Sequence, residues 1–446
     1  MPGRDEVKAA LRAALERRAD ELVRIAEHVL ANPEPGFREV KTSRFVAERF
    51  REMGIPYRDG IALTGLKGAL ECGGPGPTVA VIGELDSLIV RGHPHADPET
   101  GAAHACGHHA QLAMMLGVAM ALKDSPQVVR SMRGRVAFLA VPAEEYIEIE
   151  YRMGLREEGK VEFLGGKPEF IRLGEFDNID LAMMTHTTSD PHDKLLALPG
   201  TNNGTVAKQA RFIGRGAHAG GSPHLGINAL NAAMLALSAI HANRETFQDQ
   251  DTVRVHPIIT KGGEAVSAVP ADVRLETFVR GKTIQAIQDA DRKVDRSLRA
   301  GALAVGGRVQ ITTLPGYLPL RVDRTLAAIY RANAEAVVGQ ENVAQIEHRT
   351  GSTDMGDVSH IMPAVHPYAG GATGVGHGAD YVIKDYRAAV LNPATAMAMT
   401  LVDLLADGAS GAQRVLSAHK PAMTRAEYLK LMRSFAREEE YSGEGQ

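Results

Sequence analysis

The sequence is poor in cysteine, contains no tryptophan and has no excess of positive charge. Its two cysteines, Cys72 and Cys106, cannot build a disulfide framework, and free thiols are typical of the reducing cytoplasm, where we expect the protein. The chain has 50 Lys and Arg residues against 54 Asp and Glu, and no five like charges occur in a row. A concentrated basic face, which nucleic-acid binding requires, is therefore not expected.

The sequence also lacks an evident membrane-spanning run. We identify the longest apolar stretch at Leu112–Leu122, which is shorter than the roughly 18 residues needed to cross a bilayer. The N-terminus has the pattern of a charged amphipathic helix and not that of a signal peptide. Membrane insertion and secretion are therefore not expected. A chain of 446 residues, 44% of them hydrophobic, is long enough to bury a substantial core.

Patterns typical of strands and helices alternate in both outer parts of the chain. Short β-branched apolar runs predict buried strands at Thr78–Leu85, Val136–Val141 and Ile179–Met184. Apolar residues at helical spacing predict helices over residues 5–31, 40–53, 112–122, 323–338 and 386–406. This alternation predicts an α/β fold whose mostly parallel sheet is covered on both faces.

The middle of the chain predicts a second, smaller domain. Its order of strand, helix, strand, strand, helix and strand is that of a split βαβ sandwich. The predicted segments are Thr205–Ile213, 227–241, Thr252–Thr260, Ala271–Val279, 284–300 and Arg308–Thr313. We therefore expect residues 203–314 to be inserted between the two parts of a larger domain, 1–202 and 315–446. The last part ends in an appendage, 411–446, for which the pattern predicts one helix, Arg425–Arg437, and a frayed acidic end.

Histidines are concentrated in one segment, where five of the 17 lie between positions 93 and 109. The segment follows a predicted strand that ends near Glu84 and Asp86, and functional groups collect at the carboxyl ends of strands in open α/β sheets. Cys106 and His108 are two residues apart, so both side chains can point the same way. Thiolate and imidazole are preferred ligands of zinc-like divalent ions, so the segment predicts a metal site.

Two adjacent carboxylates, Glu144 and Glu145, follow the second predicted strand. Pro142 ends that strand because it cannot donate a ladder hydrogen bond. Neighbouring residues of an extended chain face opposite ways, so one carboxylate can bind metal while the other acts as a base. His186 follows the third predicted strand, and His377 lies in a long glycine-rich loop. A single histidine at such a position is commonly structural, but two of them at the same end of the sheet are what a split metal site requires.

A glycine-rich loop in the middle domain, GAHAGGSPH, contains two more histidines. Glycine allows close backbone approach, which makes His218 a candidate for contact with a substrate. We expect a structural role for His224. His93 and His95, in a loop rich in proline and aspartate, are expected to be solvated.

These motifs together resemble the metallopeptidase and amidohydrolase family that includes aminoacylase, carboxypeptidase G-type enzymes, indoleacetyl-amino-acid hydrolases and aminobenzoyl-glutamate hydrolase. The resemblance is carried by HACGHH (104–109), PAEE (142–145), THTTSD (185–190), GAHAGGSPHLGINAL (216–230), GGEAVSAVPADV (262–273), GSTDMGDVS (351–359) and GHGADY (376–381). The motifs occur in family order, and the Glu-x-Asp start and the GSTDMGDVS string are most similar to the aminobenzoyl-glutamate hydrolase branch.

The resemblance implies a catalytic α/β domain with two divalent ions (zinc or manganese, or else cobalt) and an inserted lid domain through which two chains form a homodimer. It implies that Cys106 bridges the ions and that the remaining ligands are His108, Glu145, His186 and His377. Glu144 is implied as the general base. His218, from the partner subunit in such a dimer, would polarise the scissile carbonyl. Candidates for substrate binding are His218, Asn228 and Arg280, the last at the position where a lid cation holds a substrate carboxylate.

Two positions depart from the family pattern. His109 stands where Asp is frequent after Cys-Gly-His, and Ser267 stands where Asn is usual. The first departure affects the surroundings of the metal ligands, and the second removes a side-chain amide contact to substrate.

The predicted activity is hydrolysis of the amide bond of an N-acyl or N-aroyl amino acid by a metal-activated water, with a carboxylate-bearing small molecule as substrate. The same ligands would also serve an aromatic amine aminohydrolase. Two further alternatives are a catalytically silent dimeric binding protein and an enzyme with Cys106 as nucleophile and a histidine base.

Overall fold

The computed structural model describes residues 3–444. The helices are α1 (Arg4–Arg17), α2 (Ala19–Leu30), α3 (Val40–Glu52), α4 (His108–Asp124), α5 (Pro126–Ser131), α6 (Ile149–Glu157), α7 (Gly166–Leu173), α8 (Ala229–Ala242), α9 (Ile284–Ala304), α10 (Arg324–Val338), α11 (Met355–Ile361), α12 (Asn392–Ala418) and α13 (Arg425–Phe435). The strands are β1 (Tyr57–Ile61), β2 (Gly65–Glu71), β3 (Thr78–Glu84), β4 (Leu88–Ile89), β5 (Ala102–Ala103), β6 (Arg135–Val141), β7 (Leu181–Met183), β8 (His186–Thr187), β9 (Leu196–Asn202), β10 (Gly204–Ile213), β11 (Arg254–Lys261), β12 (Asp272–Gly281), β13 (Arg308–Tyr317), β14 (Leu320–Arg321), β15 (Val343–Arg349), β16 (Ala364–Val365), β17 (Tyr368–Ala369), β18 (Ala372–Thr373), β19 (Val382–Ile383) and β20 (Arg437–Ser442).

The chain folds into two compact units. The first contains the described residues up to Gly200, together with Arg321–His348 and Asp357–Arg425. The second contains Thr201–Leu320, Arg349–Gly356 and the described residues from Ala426 onward.

The first unit is built on a six-stranded sheet with the order β1-β2-β6-β3-β7-β16. The strands β6, β3, β7 and β16 are parallel, which confirms the predicted mostly parallel sheet. The edge strand β1 and its neighbour β2 are antiparallel and were not predicted, because their sequences lack the apolar run that marks a buried strand. Every residue of β3 is buried, as expected for a central strand covered on both faces.

Helices cover this sheet, and α4 lies at the centre of the packing. All residues of α4 from His108 to Leu122 are buried, since small and apolar side chains surround the whole helix. It packs against β3, α1, α2 and α12. The predicted helix over residues 5–31 is two helices in the structure, because the backbone leaves the helical conformation at Arg18.

One segment, Arg387–Ala418, is long and apolar enough to cross a membrane by length and composition. The expectation that Leu112–Leu122 is the longest apolar stretch is therefore wrong. The most apolar window of this segment is 89% buried, and α12 packs against α1, α4 and α10. Its backbone also departs from helical geometry at Ala406–Ala409. These features are those of a core helix.

The second unit is an antiparallel sheet of order β11-β12-β10-β13-β20 with α8 and α9 packed together against it. The predicted order of strand, helix, strand, strand, helix and strand is confirmed for β10 to β13. The expected frayed acidic end is wrong, because Arg437–Ser442 pairs with β13 as a further strand. The consecutive charged residues of REEEYS gave no strand signal, and the pairing depends on a distant segment.

A buried ionic network attaches this last strand to the unit. The Lys208 ammonium lies 2.5 Å from Asp295 and 2.6 Å from Asp291, and it donates to Thr313 Oγ1 at 2.7 Å. Arg437 of β20 donates to the same two carboxylates. The Lys208 side chain is fully buried, so its charge depends on these partners for stabilisation.

We expect Lys208→Met to lower the free energy of unfolding by about 3–5 kcal/mol, because two buried carboxylates would then share Arg437 alone. Arg211→Met on the same strand is the matched control. Arg211 forms an exposed ion pair with Asp272 at 2.8 Å, and its loss should cost less than about 1 kcal/mol. Urea denaturation of both variants tests this, and equal losses would contradict a special role for the buried network.

Candidate metal centre and catalytic site

The carboxyl ends of the parallel strands carry the predicted site. The strand β3 ends at Glu84, with Asp86 two residues later, and β6 leads into Glu144 and Glu145. The strand β7 is followed by His186. Parallel strands place their carboxyl ends along one edge of a sheet, so these side chains converge although they are far apart in the sequence.

The turn before α4 adds the thiol and an imidazole to this edge. Gly107 has a φ of 83°, a conformation that residues with a Cβ rarely adopt. A Cβ atom at this position would also lie 2.0 Å from Thr187 Oγ1. Glycine is therefore required here, and it allows Cys106 and His108 to face the same group of donors.

The structure brings together the five side chains implied as metal ligands. Ligand atoms of Cys106, His108 and His186 lie within 4.8 Å of one another, and so do those of Cys106, Glu145 and His377. The Cys106 sulfur is 3.3 Å from His186 Nε2, and His377 Nε2 is 3.5 Å from a Glu145 oxygen. Cys106 thus belongs to both groups, the position that a bridging ligand would occupy.

The chemistry of these donors fits divalent cations. A sulfur, imidazole nitrogens and a carboxylate are the ligands that zinc-like ions prefer. Glu145 Oε1 is buried and makes no hydrogen bond, which is costly for a carboxylate oxygen unless another partner binds it. Burial and Glu145 together raise the pKa of the Cys106 thiol well above its ordinary value. A cation would favour the thiolate, whereas a free Cys106 nucleophile is disfavoured.

Hydrogen bonds fix the orientation of two imidazoles. His108 Nδ1 donates to the carbonyl of Asp86 at 2.9 Å and lies 3.2 Å from its carboxylate. His186 Nδ1 donates to the carbonyl of Thr187 at 2.6 Å. In each ring the proton is therefore on Nδ1, and the Nε2 lone pair is directed at the shared group.

A second buried carboxylate, Glu84, lies beside the ligand group. Its Oε2 atom is 3.1 Å from His108 Nε2, and its Oε1 atom accepts from Lys167 Nζ at 2.5 Å. Burial alone would raise the pKa of Glu84, but Lys167 and His108 lower it to about 2. Sequence reasoning noted Glu84 at the strand end and missed Lys167, which lies in an unremarkable charged stretch.

Buried charged groups also hold the turn that carries Glu144 and Glu145. Ala143 has a φ of 54°, an unfavourable conformation for a residue with a Cβ. Its N–H donates to Glu39 at 2.8 Å, and Arg152 donates to the carbonyls of Glu145 and of Leu164, the latter at 2.7 Å. Burial and Asp86 raise the pKa of Glu39 to about 7. The sequence gave no signal for Glu39 or Arg152, because only the fold buries these residues against the turn whose backbone they bind.

His218 lies in the second unit and is exposed. Its Nδ1 atom accepts from the N–H groups of Gly220 at 3.2 Å and of Gly221 at 2.9 Å. The neutral ring must therefore carry its proton on Nε2, which is left as an outward donor. Ser267, where the family usually has Asn, is exposed, and its carbonyl accepts from Ala219 next to this histidine.

The other two predicted substrate contacts also belong to the second unit. Asn228 caps α8, and its amide oxygen accepts from the N–H groups of Leu230 and Asn231. The amide oxygen of Asn228 therefore stabilises the start of α8, a structural role in addition to the predicted contact with substrate. The Arg280 guanidinium lies over the Phe278 ring at 5.3 Å.

The remaining histidines of the cluster do not join the ligand group. His104 and His109 line a separate cavity of about 360 Å³ together with His95. His93, which was expected to be solvated, is buried, and its ring contacts the carbonyl of Tyr381 at 2.7 Å. That expectation was wrong because the loop folds back onto a segment almost 290 residues away.

Comparison with known proteins agrees with this geometry. Residues 80–402 match the family described as Peptidase family M20/M25/M40. The chain is 30% identical to the human Xaa-Arg dipeptidase over 322 residues, which covers 69% of this chain and 68% of the relative. It is 24% identical to the IAA-amino acid hydrolase ILR1-like 4 of Arabidopsis thaliana over 365 residues, or 79% of this chain and 77% of the relative.

Solved structures share the fold at lower identity. A dinuclear metal-binding M20 peptidase of Bacillus subtilis has a TM-score of 0.61 at 19% identity, covering 87% of this chain and 99% of that one. The aminobenzoyl-glutamate utilization protein of Klebsiella pneumoniae has a TM-score of 0.66 at 18% identity, covering 88% and 98%. The family resemblance seen in the sequence is therefore confirmed, and the chain is a metal-dependent hydrolase that belongs to peptidase family M20/M25/M40.

Proposed function

We propose that this hydrolase cleaves the amide bond of an N-acyl or N-aroyl amino acid, with aminobenzoyl-glutamate-like compounds as the substrate class. The observation that carries the proposal is the shared position of Cys106 in two donor groups, with Glu144 beside them. Relatives of the chain are named as hydrolases of indoleacetyl amino acids and of Xaa-Arg dipeptides. These names support a substrate whose scissile amide bond is next to a carboxylate-bearing residue.

The proposed ligands of two divalent ions are Cys106, His108, Glu145, His186 and His377. The mixed sulfur, nitrogen and oxygen donors suit zinc, while manganese and cobalt remain within the range of these ligand types. Divalent ions at such a site lower the pKa of water and polarise a carbonyl group.

Glu144 is the proposed general base. Its carboxylate lies 3.9 Å from His108 Nε2 and is largely buried, so it borders the ligand group while remaining accessible to a small molecule. Glu144 would accept a proton from the attacking water and deliver it to the leaving amine. The products are a carboxylate and an amine, and the atoms of one water molecule are consumed.

Three residues of the second unit are proposed to bind substrate. The outward Nε2–H of His218 would donate to the scissile carbonyl oxygen as negative charge develops there. Arg280 would pair with the substrate carboxylate, and Asn228 would border the same ligand. The second unit would act as a lid that excludes water on closure.

We further propose a cytoplasmic homodimer formed through the second unit, with His218 acting at the partner's site. Helix α8 exposes Met234 and Leu235, and the edge strand β11 exposes Ile258 and Ile259. An unpaired edge strand and exposed apolar side chains favour association with a second copy. The mass of the protein in solution distinguishes one chain from two.

A substrate panel tests the proposed activity. Protein depleted by a chelator should hydrolyse N-aroyl glutamates, indoleacetyl amino acids and Xaa-Arg dipeptides only after addition of zinc, manganese or cobalt. Release of the amino acid identifies an amidohydrolase. Release of ammonia from amino-aromatic compounds without amide cleavage would instead identify an aromatic amine aminohydrolase and overturn the proposal.

Glu144→Gln should reduce kcat by about 10²–10⁴-fold, because the amide cannot accept the water proton. Its bound metal should stay at the wild-type amount, measured by elemental analysis. The neighbouring Glu145→Gln is the matched control, since it should lose metal as well as activity. A Glu144→Gln enzyme that keeps more than a tenth of the wild-type rate would show that another group is the base.

His218→Ala should lower kcat by about 10²–10³-fold through loss of one donor to the developing oxyanion. His218 is exposed, so the melting temperature should not change. His224→Ala, in the same exposed loop, should leave both values near those of the wild type. If the two variants have the same activity, His218 does not contact the reacting group.

A further inference from the structure

The HACGHH segment presents histidines to two different places. Cys106 and His108 face the donor groups described above. His104 and His109 instead line the cavity of about 360 Å³, whose other lining residues include Glu27, His95 and Tyr386. This second set has no part in the proposed hydrolysis, and it includes the position where the family frequently has Asp.

His104 and His109 are both 1% exposed. No nitrogen of either ring makes a hydrogen bond of good geometry with a described residue. The carbonyl of Val29 lies beside His104, which would hold the proton of one nitrogen and leave the other as an acceptor. A buried polar group without a partner costs about 1–3 kcal/mol, so two such rings on one cavity need an explanation.

The spacing of the two rings is that of imidazoles on one ion. Their centroids are 5.3 Å apart. Two imidazoles bound to one tetrahedral ion at zinc–nitrogen distances of about 2.0–2.1 Å have centroids roughly 5 Å apart. The rings of His108 and His186, which share a donor group in this structure, are 5.8 Å apart.

The rim of the cavity offers further donors. Glu27 and His95 are exposed residues that line the same space. The loop of His95 is held in place, because its N–H donates to His93 Nδ1 at 3.1 Å and the other nitrogen of His93 contacts the Tyr381 carbonyl. Because the side chains of Glu27 and His95 are exposed, core packing does not hold either of them in one rotamer.

We propose that His104 and His109 form the floor of an additional divalent-cation site, completed by His95 or Glu27 from the rim. An imidazole-dominated site selects zinc, cobalt, nickel or copper over magnesium and calcium. The site is separate from the ligand group of Cys106, and the inference does not depend on the proposed substrate or on the reaction.

Metal stoichiometry tests the proposal. Full-length protein is stripped with a chelator, dialysed against cobalt alone and analysed for cobalt per chain. The wild type should bind one equivalent more than the double variant His104→Phe/His109→Phe. Cys106→Ser should lose cobalt from the other group and keep this equivalent. The test compares the cobalt content of the wild type with that of the double variant. Its outcome therefore does not depend on how much metal the proposed hydrolase site binds.

Substitution of the exposed rim residues tests the site without altering a buried side chain. The double variant Glu27→Ala/His95→Ala should weaken binding of the additional cobalt at least about tenfold, measured by equilibrium dialysis. His28→Ala, an exposed histidine stacked on Phe45, is the matched control and should bind as the wild type does. Equal cobalt content in the wild type and the floor variant, or unchanged affinity in the rim variant, would overturn the proposal.

Discussion

The candidate site depends on one carboxylate, that of Asp86. It accepts the N–H of Glu145 at 2.8 Å and lies 3.2 Å from His108 Nδ1, whose proton its own backbone carbonyl also accepts. Asp86 thereby connects the end of β3, the start of α4 and the turn after β6. The same segments also meet through the pairing of β3 with β6 and the packing of α4 against β3. Asp86 thus connects the imidazole of His108 directly to the turn that carries the pair of carboxylates.

Around this connection, buried charges are satisfied mainly by backbone atoms. Glu39 and Arg152 bind N–H and carbonyl groups of the turn at Ala143, whose backbone conformation is unfavourable by itself. Such bonds hold the direction of Glu144 and Glu145 before any ligand is present. Preorganisation of this kind reduces the reorganisation that binding or reaction would otherwise require. The unfavourable turn is therefore stabilised by the buried hydrogen bonds around it.

The sequence was informative wherever a chemical pattern is local. The strand ends, the Cys-x-His spacing and the Glu-Glu pair predicted the donor groups, and the periodicity predicted the order of elements in both units. It was uninformative where a role depends on a distant partner. Lys167 and Arg152 are ordinary charged residues until the fold buries them, and His93 became buried only because its loop meets Tyr381. The same reason explains why β20 was missed, since its apolar content is low and its partner strand is β13.

The pairing of β20 with β13 has a consequence for biosynthesis. Residue Arg299 on α9 contacts Glu439 across a separation of 140 residues, so the second unit recruits its last strand long after its other strands have emerged from the ribosome. Until then the edge of β13 and the carboxylates of Asp291 and Asp295 lack one of their partners. The nascent chain therefore carries an incomplete sheet while Arg321–His348 and Asp357–Arg425 of the first unit are being translated, and its open strand edge is exposed to wrong pairing during that period.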